Sequence, residues 1–166
     1  VTAQDISIFA LAARKKRGIV IAVNKWDLVL DKTANTVKEY EEMIRSRIAP
    51  FRDVPIVFIS VTEKQRVLKV LDYALDVYEN KKRKIPTSKL NDYLLKVIER
   101  NQPPVVKGKS INIKFVTQLP ATTPSFAFFC SNPKYIRDAY KNFLENQIRN
   151  KYNFTGVPIN IFFREK

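Results

Sequence analysis

Three side chains within four positions, Asn24, Lys25 and Asp27, form a set able to read a flat nitrogen heterocycle. The Asp27 carboxylate can accept from two adjacent N–H donors at once, and charge-assisted bidentate pairing is strong and directional. Guanine presents N1–H and its N2 amino group side by side. Adenine lacks both, so it would leave the carboxylate unpaired, which is costly in a closed site. Asn24 has a donor and an acceptor, suited to the N7 side of the base and to bracing a neighbouring loop. Lys25 can lay its methylene stem along the base while its ammonium stays polar. The plain alternative is an ordinary surface turn. Context favours the site: an apolar run, Ile19 to Val23, follows Gly18 and stops at Asn24. Such runs read as buried strands, and open α/β sheets bind ligands beyond the carboxyl ends of their strands.

Bulk properties narrow the classes. Among 166 residues, 30 are Lys or Arg and 16 are Asp or Glu, a formal net charge of +14. That is the electrostatic footprint of a nucleic-acid binder, with acidic membranes as the other attractor. No apolar run reaches the ~18 residues of a membrane span, so no membrane partner is expected. Cys130 is the one cysteine and there is no histidine. A disulfide framework, histidine- or cysteine-based zinc sites and Ser-His or Cys-His catalysis are thereby closed. A lone thiol fits a reducing, cytoplasmic setting. No catalytic or metal-ligating residue stands out.

The elements that must position the motif follow from periodicity. A helix is expected from Thr2 to Arg17, with Ile6, Phe9, Ala10 and Ala13 inward and a stop at Gly18. After the motif, Thr36 and Glu39 have capping-box spacing ahead of Val37, Tyr40, Ile44 and Ile48. Ile56 to Val61 reads as a second buried strand. A third helix runs from about Arg66 to about Asn80, with Val67, Val70, Leu71, Ala74 and Val77 inward. Helix–strand–helix–strand–helix implies an α/β unit with a parallel sheet.

Lys81-Lys82-Arg83-Lys84 before Pro86 marks a boundary, either a solvated joint or a nucleic-acid patch. The domains are expected to be 1–84 and 85–166. In the second, Leu90, Leu94, Val97 and Ile98 lie on one helix face, and Ile111, Ile113 and Phe115 alternate as in a strand. Phe126 to Cys130 is an apolar strand, and Asn132-Pro133 opens a helix through Ile148. Val157 to Phe163 alternates after Gly156. The order α-β-β-α-β is an α+β domain with a three-stranded sheet. Its aromatics Phe126, Phe128, Phe129, Phe162 and Phe163 could stack bases, although core packing is the commoner fate of aromatics on alternating strands.

These residues resemble the carboxyl-terminal part of the Der (EngA) family, bacterial GTPases with two tandem G domains and a terminal KH-like domain. Val23-Asn24-Lys25-Trp26-Asp27-Leu28 looks like the guanine motif of the second G domain, and Ile59-Ser60-Val61 occupies the place of its Ser-Ala loop. Val116-Thr117-Gln118, Pro124-Ser125-Phe126, Asn132-Pro133, Leu144-Glu145-Asn146-Gln147 and Gly156-Val157-Pro158-Ile159 follow the KH-like domain in order. The resemblance implies a partial P-loop GTPase domain followed by a KH-like domain. The base would be read by Asn24, Lys25, Asp27, Ser60 and Val61. The family has alanine at Val61 and glycine near Lys64, so the valine side chain must point away if its N–H approaches the guanine O6.

Glycines occur at 18, 108 and 156, and none closes an Asp-x-x-Gly switch motif. Gly108-Lys109-Ser110 resembles the end of a phosphate loop, but Pro103 stands where the first glycine belongs, and the fragment reads as a turn. The second domain also lacks the Gly-x-x-Gly clamp of KH domains. The expectation is a fragment of a GTPase acting on the large (50S) ribosomal subunit and its rRNA. GTP/GDP and Mg2+ would belong to the parent, and the fragment alone would hold no nucleotide tightly. The alternative is a stand-alone basic RNA-binding or protein-docking module. The open edges and apolar face of the half-sheet are expected to be covered by another copy, by the KH-like domain or by the rest of the parent G domains.

Overall fold

In a computed structural model, residues 1–30, 32–33 and 35–165 are described. The chain forms two compact units, one of residues 1–81 with 154–158 and the other of 82–153 with 159–166. The pentapeptide 154–158, expected in the second domain, counts with the first unit.

In the first unit, helix α1 (Ala3–Arg14) begins at a true capping box: the Thr2 hydroxyl accepts from the Asp5 N–H at 3.2 Å, and Asp5 Oδ2 accepts from the Thr2 N–H at 2.7 Å. Lys16, in the left-handed region at φ 55°, follows the helix end in place of the expected stop at Gly18. Gly18 is needed for space instead, because a Cβ there would lie 2.7 Å from Val77. Strand β1 (Ile21–Val23) pairs in parallel with β2 (Ile56–Phe58), in the register Ile21 with Ile56 and Val23 with Phe58. Helix α2 (Thr36–Arg47) does not form the expected box. The Thr36 hydroxyl accepts from the Thr33 N–H at 2.8 Å, and the Glu39 N–H bonds the Asn35 carbonyl. The core gathers Trp26, Ile44, Ile48, Val54 and Phe58, against which Ile6, Phe9, Ile21 and Val23 pack half-buried.

Helix α3 (Val67–Lys82) buries Val77 and Asn80. Leu71 and Ala74, expected inward, are exposed, and Leu68, Leu71 and Leu75 are 76%, 61% and 64% exposed. Helix α3 thus carries an apolar face exposed to water. Strand β1 departs from expectation in the same way, with Ala22 exposed and Ile21 and Val23 only half-buried.

In the second unit, α4 (Thr87–Arg100) buries Leu90, Leu94 and Ile98. The sheet has order β3 (Ile113–Leu119), β4 (Ser125–Cys130), β5 (Asn160–Arg164), antiparallel then parallel. A bulge between Ile113 and Phe115 breaks the expected alternation, so Val116 is buried in place of Phe115. The Asn91 side chain seals the edge of β3, accepting from the Val116 N–H at 2.9 Å and donating to its carbonyl at 2.8 Å. The helix expected from Asn132 is split. Pro133–Tyr135 form one 3-10 turn, and α5 (Asp138–Lys151) starts later, burying Tyr140, Leu144 and Ile148. The Gly108 fragment is a turn, closed by a bridge between Val106 and Lys109.

Gly156, at φ 77°, donates to the Asp53 carbonyl and accepts from the Ile19 N–H, both at 2.8 Å. A Cβ there would lie 2.3 Å from Val77 and 2.9 Å from the Ile19 carbonyl. Gly156→Ala is expected to cost about 2–4 kcal/mol by urea denaturation, left-handed strain plus overpacking. At Gly108, φ 70° with open space around it, the same change should cost only about 1 kcal/mol. Burial pushes the Tyr140 hydroxyl up to about 12 and the Cys130 thiol up to about 11. The unfolded chain ionises both groups more readily. Their contribution is thus complete below the ordinary thiol value of 9.0 and is lost as pH rises toward about 12. The thermal midpoint should fall over that window, less steeply in Tyr140→Phe between 10 and 12.

Candidate functional site

The site lies where β1 and β2 end together. The parallel ladder continues past both strands, since the Ile59 N–H donates to Val23 at 2.8 Å and the Trp26 N–H to Ile59 at 3.0 Å. The chain after β2 then closes on itself. Ser60 and Gln65 exchange backbone bonds of 3.2 and 2.8 Å, and the Glu63 N–H donates to the Ser60 hydroxyl at 3.1 Å. Ser60 is fully buried. Lys64 and Arg66 take left-handed φ of 51° and 56°, which explains why a glycine serves well near Lys64 in the family this loop resembles.

Asn24 joins the two loops. Its Oδ1 accepts from the Lys25 N–H at 2.8 Å and from the Val61 N–H at 3.2 Å. The first bond supports Lys25 in a left-handed conformation at φ 61°, one that non-glycine residues seldom adopt. The Val61 side chain is exposed. Its N–H, expected to reach a base oxygen, is already given to Asn24, and a base at this place would share that donor.

Trp26 anchors the turn that carries Asp27. The indole is buried, 4.4 Å from the Phe58 ring and edge-on to Tyr40 at 5.4 Å, with the Lys32 ammonium 5.6 Å above it. Trp26–Leu28 form one 3-10 turn, which sets Asp27 next to this anchor. Asp27 Oδ1 is buried with no hydrogen-bond partner among the described residues. Buried polar atoms are almost always paired, so this acceptor is free to take a donor. Sequence reasoning placed Asn24, Lys25, Asp27, Ser60 and Val61 in two loops. The structure joins those loops through Asn24 and adds Gln65 and Lys32, for which composition gave no signal. Among the described residues no cluster of His, Cys, Asp and Glu could hold a metal ion, and no helix is long and apolar enough to cross a membrane.

Residues 84–164 match the family described as KH-domain-like of EngA bacterial GTPase enzymes, C-terminal. Proteins named GTPase Der align along almost the whole chain. That of Christiangramia forsetii is 59% identical over 96% of this chain and 37% of its own length. Those of Bacteroides thetaiotaomicron and Porphyromonas gingivalis are 53% and 51% identical over all of this chain and 38% of theirs. The chain matches a C-terminal fragment of GTPase Der. It spans little more than a third of the length of these Der proteins. The match to Der covers both units, the half-sheet bearing Asp27 as well as the KH-like sheet.

An acceptor kept buried and unpaired costs about 1–3 kcal/mol. Asp27→Ala should therefore leave stability unchanged or raise it by about 1 kcal/mol in chemical denaturation. A clear loss would mean that the carboxylate has a structural partner.

Proposed function

We propose that the chain supplies the base-reading end of a guanine-nucleotide site in a GTPase that acts on the large ribosomal subunit in the cytoplasm. The buried, unpartnered Oδ1 of Asp27 carries this reading. N1–H and the N2 amino group of guanine would satisfy that carboxylate. Asn24 holds the Ser60–Gln65 loop against the site and keeps its amide nitrogen for the N7 side of the ring. Lys25 covers one face of the base. The residues present fit the base, and the phosphates and Mg2+ of GTP would be held by other parts of the longer protein, where hydrolysis would take place. Phosphate contacts supply much of the affinity at such sites, so the 166-residue chain alone should bind GDP weakly.

The ribosomal partner is supported by charge. The second unit carries 16 Lys and Arg against five Asp and Glu, a net +11, while the first has 14 against 11, a net +3. Cations gathered on one unit suit a phosphate-rich surface, which gains affinity by releasing counterions.

The reading is tested by Asp27→Asn in the full-length protein. An asparagine presents one acceptor and one donor, which matches the N1–H and C2 carbonyl of xanthine. GTP affinity should drop by roughly 100-fold or more, as two charge-assisted bonds are lost, and xanthosine triphosphate should bind better than GTP. Unchanged preference for GTP would refute the assignment of Asp27.

A further inference from the structure

We infer that the cleft between the end of α4 and the segment leading into β3 takes an extended acidic peptide, added as a short extra strand. Helix α4 runs along the outer edge of β3 in the opposite direction. The Thr87 and Thr117 hydroxyls lie 3.3 Å apart, and the Asn91 side chain bonds Val116. Farther along the helix the two part. A cavity of about 510 Å³ opens between residues 95–103 and residues 110–113. Ile98, Pro103, Ile111 and Ile113 line it as buried residues, while Lys96, Glu99, Gln102 and Asn112 line it as exposed ones.

Backbone polar groups alternate sides along an antiparallel strand. The Ser131 N–H donates to the Asn112 carbonyl at 3.0 Å, and the Asn112 N–H donates to the Ser131 hydroxyl at 2.9 Å. Asn112 thus faces the β4 side, and its neighbours Ile111 and Ile113 turn their N–H and C=O groups the other way, toward the cleft. Beyond the bulge the Val116 groups face the same edge, and Asn91 holds both of them. No side chain does this for Ile111, whose backbone makes no hydrogen bond among the described residues. Buried backbone groups are nearly always paired, and an unpaired row at a sheet edge is a template for another strand.

Spacing selects the class of occupant. Donors and acceptors at the strand repeat match a second polypeptide backbone, and a nucleic acid offers no such repeat. Residues 110–113 give room for about four paired residues at about 3.3 Å each. Charge selects the side chains. Lys96 lines the cleft and Lys109 and Lys114 flank residues 110–113, all three exposed, against Glu99. The unit as a whole has a net +11. Acidic side chains are favoured there, and a second copy of this basic chain is repelled.

The test uses the 166-residue chain and a fluorescein-labelled peptide of about six residues alternating glutamate and valine, long enough to span the cleft. Comparison ligands are a lysine–valine peptide, a single-stranded RNA, and two copies of the acidic peptide methylated on either the glutamate or the valine nitrogens. Fluorescence anisotropy should show saturable binding of the acidic peptide, with the lysine peptide and at least one methylated copy weaker by about 10-fold or more. Hydrogen exchange read by NMR should slow at the Ile111 and Ile113 amides when the peptide binds. Lys96→Glu and Lys109→Glu should each weaken binding several-fold with the thermal midpoint held. No binding of the acidic peptide, equal binding of both methylated copies, or unchanged exchange at those two amides overturns the added strand. RNA that protects the same amides and displaces the peptide would assign the cleft to nucleic acid and also overturn it. Binding to the 166-residue chain but not to the full-length protein would show the cleft filled from within that protein, with the same effect. None of these outcomes bears on the guanine reading of Asp27.

Discussion

A single side-chain oxygen ties together everything around the candidate site. Oδ1 of Asn24 receives one N–H from its own loop and one from the loop after β2. The paired strands are only three residues each, too short to fix two loops by their ladder alone. The Asn24 bonds, with the Trp26 to Ile59 backbone bond, carry the register of the sheet into irregular chain. Trp26 then converts this polar tie into a rigid one by sinking its indole beside Phe58. Asp27 inherits its position from both neighbours. Its placement comes from elements on either side of it in sequence and from a second strand more than thirty residues away.

Strain gathers where the chemistry is expected. Of six non-glycine residues with positive φ among the described residues, Lys25, Lys64 and Arg66 belong to these two loops. Each such conformation costs about 1 kcal/mol or more unless its surroundings over-determine it. Here the surroundings are visible: the Asn24 bond to Lys25, and the Ser60–Gln65 exchange that frames Lys64. Together with the unpaired Asp27 oxygen, these features work against folding stability.

The motif was legible because its residue types are constrained by chemistry and its strand by burial. The parallel half-sheet and the α-β-β-α-β order were legible for the same reason, since short apolar runs and helical periodicity survive without tertiary detail. What escaped was decided by competition between partners. Thr36 has capping-box spacing to Glu39, yet its hydroxyl is taken by Thr33. Thr2 and Asp5 have similar spacing and do form the box. Phe115 continues the alternation of Ile111 and Ile113, but one extra residue in β3 turns it over. Residues 154–158 read as part of the second domain, and the bonds of Gly156 to Ile19 and Asp53 show which unit claims them.

Helix α3 shows why the first unit could not be read as self-contained. Val77 and Asn80 are buried on one side, and Leu68, Leu71 and Leu75 repeat at helical spacing on another. A helix apolar on more than one face is built for cover on more than one face. Each of these leucines forgoes roughly 1.5–3 kcal/mol of burial free energy while it faces water. That sum is comparable to the whole stability of a small domain, about 5–15 kcal/mol. The second unit has no such helix: α4 buries Leu90, Leu94 and Ile98, α5 buries Tyr140, Leu144 and Ile148, and Asn91 bonds the edge of β3 at Val116. Of the two units, the KH-like one exposes fewer large apolar side chains, Phe115 and Phe162 among them. The half-sheet with Asp27 instead leaves an apolar helix face in water and an acceptor without a donor among the described residues.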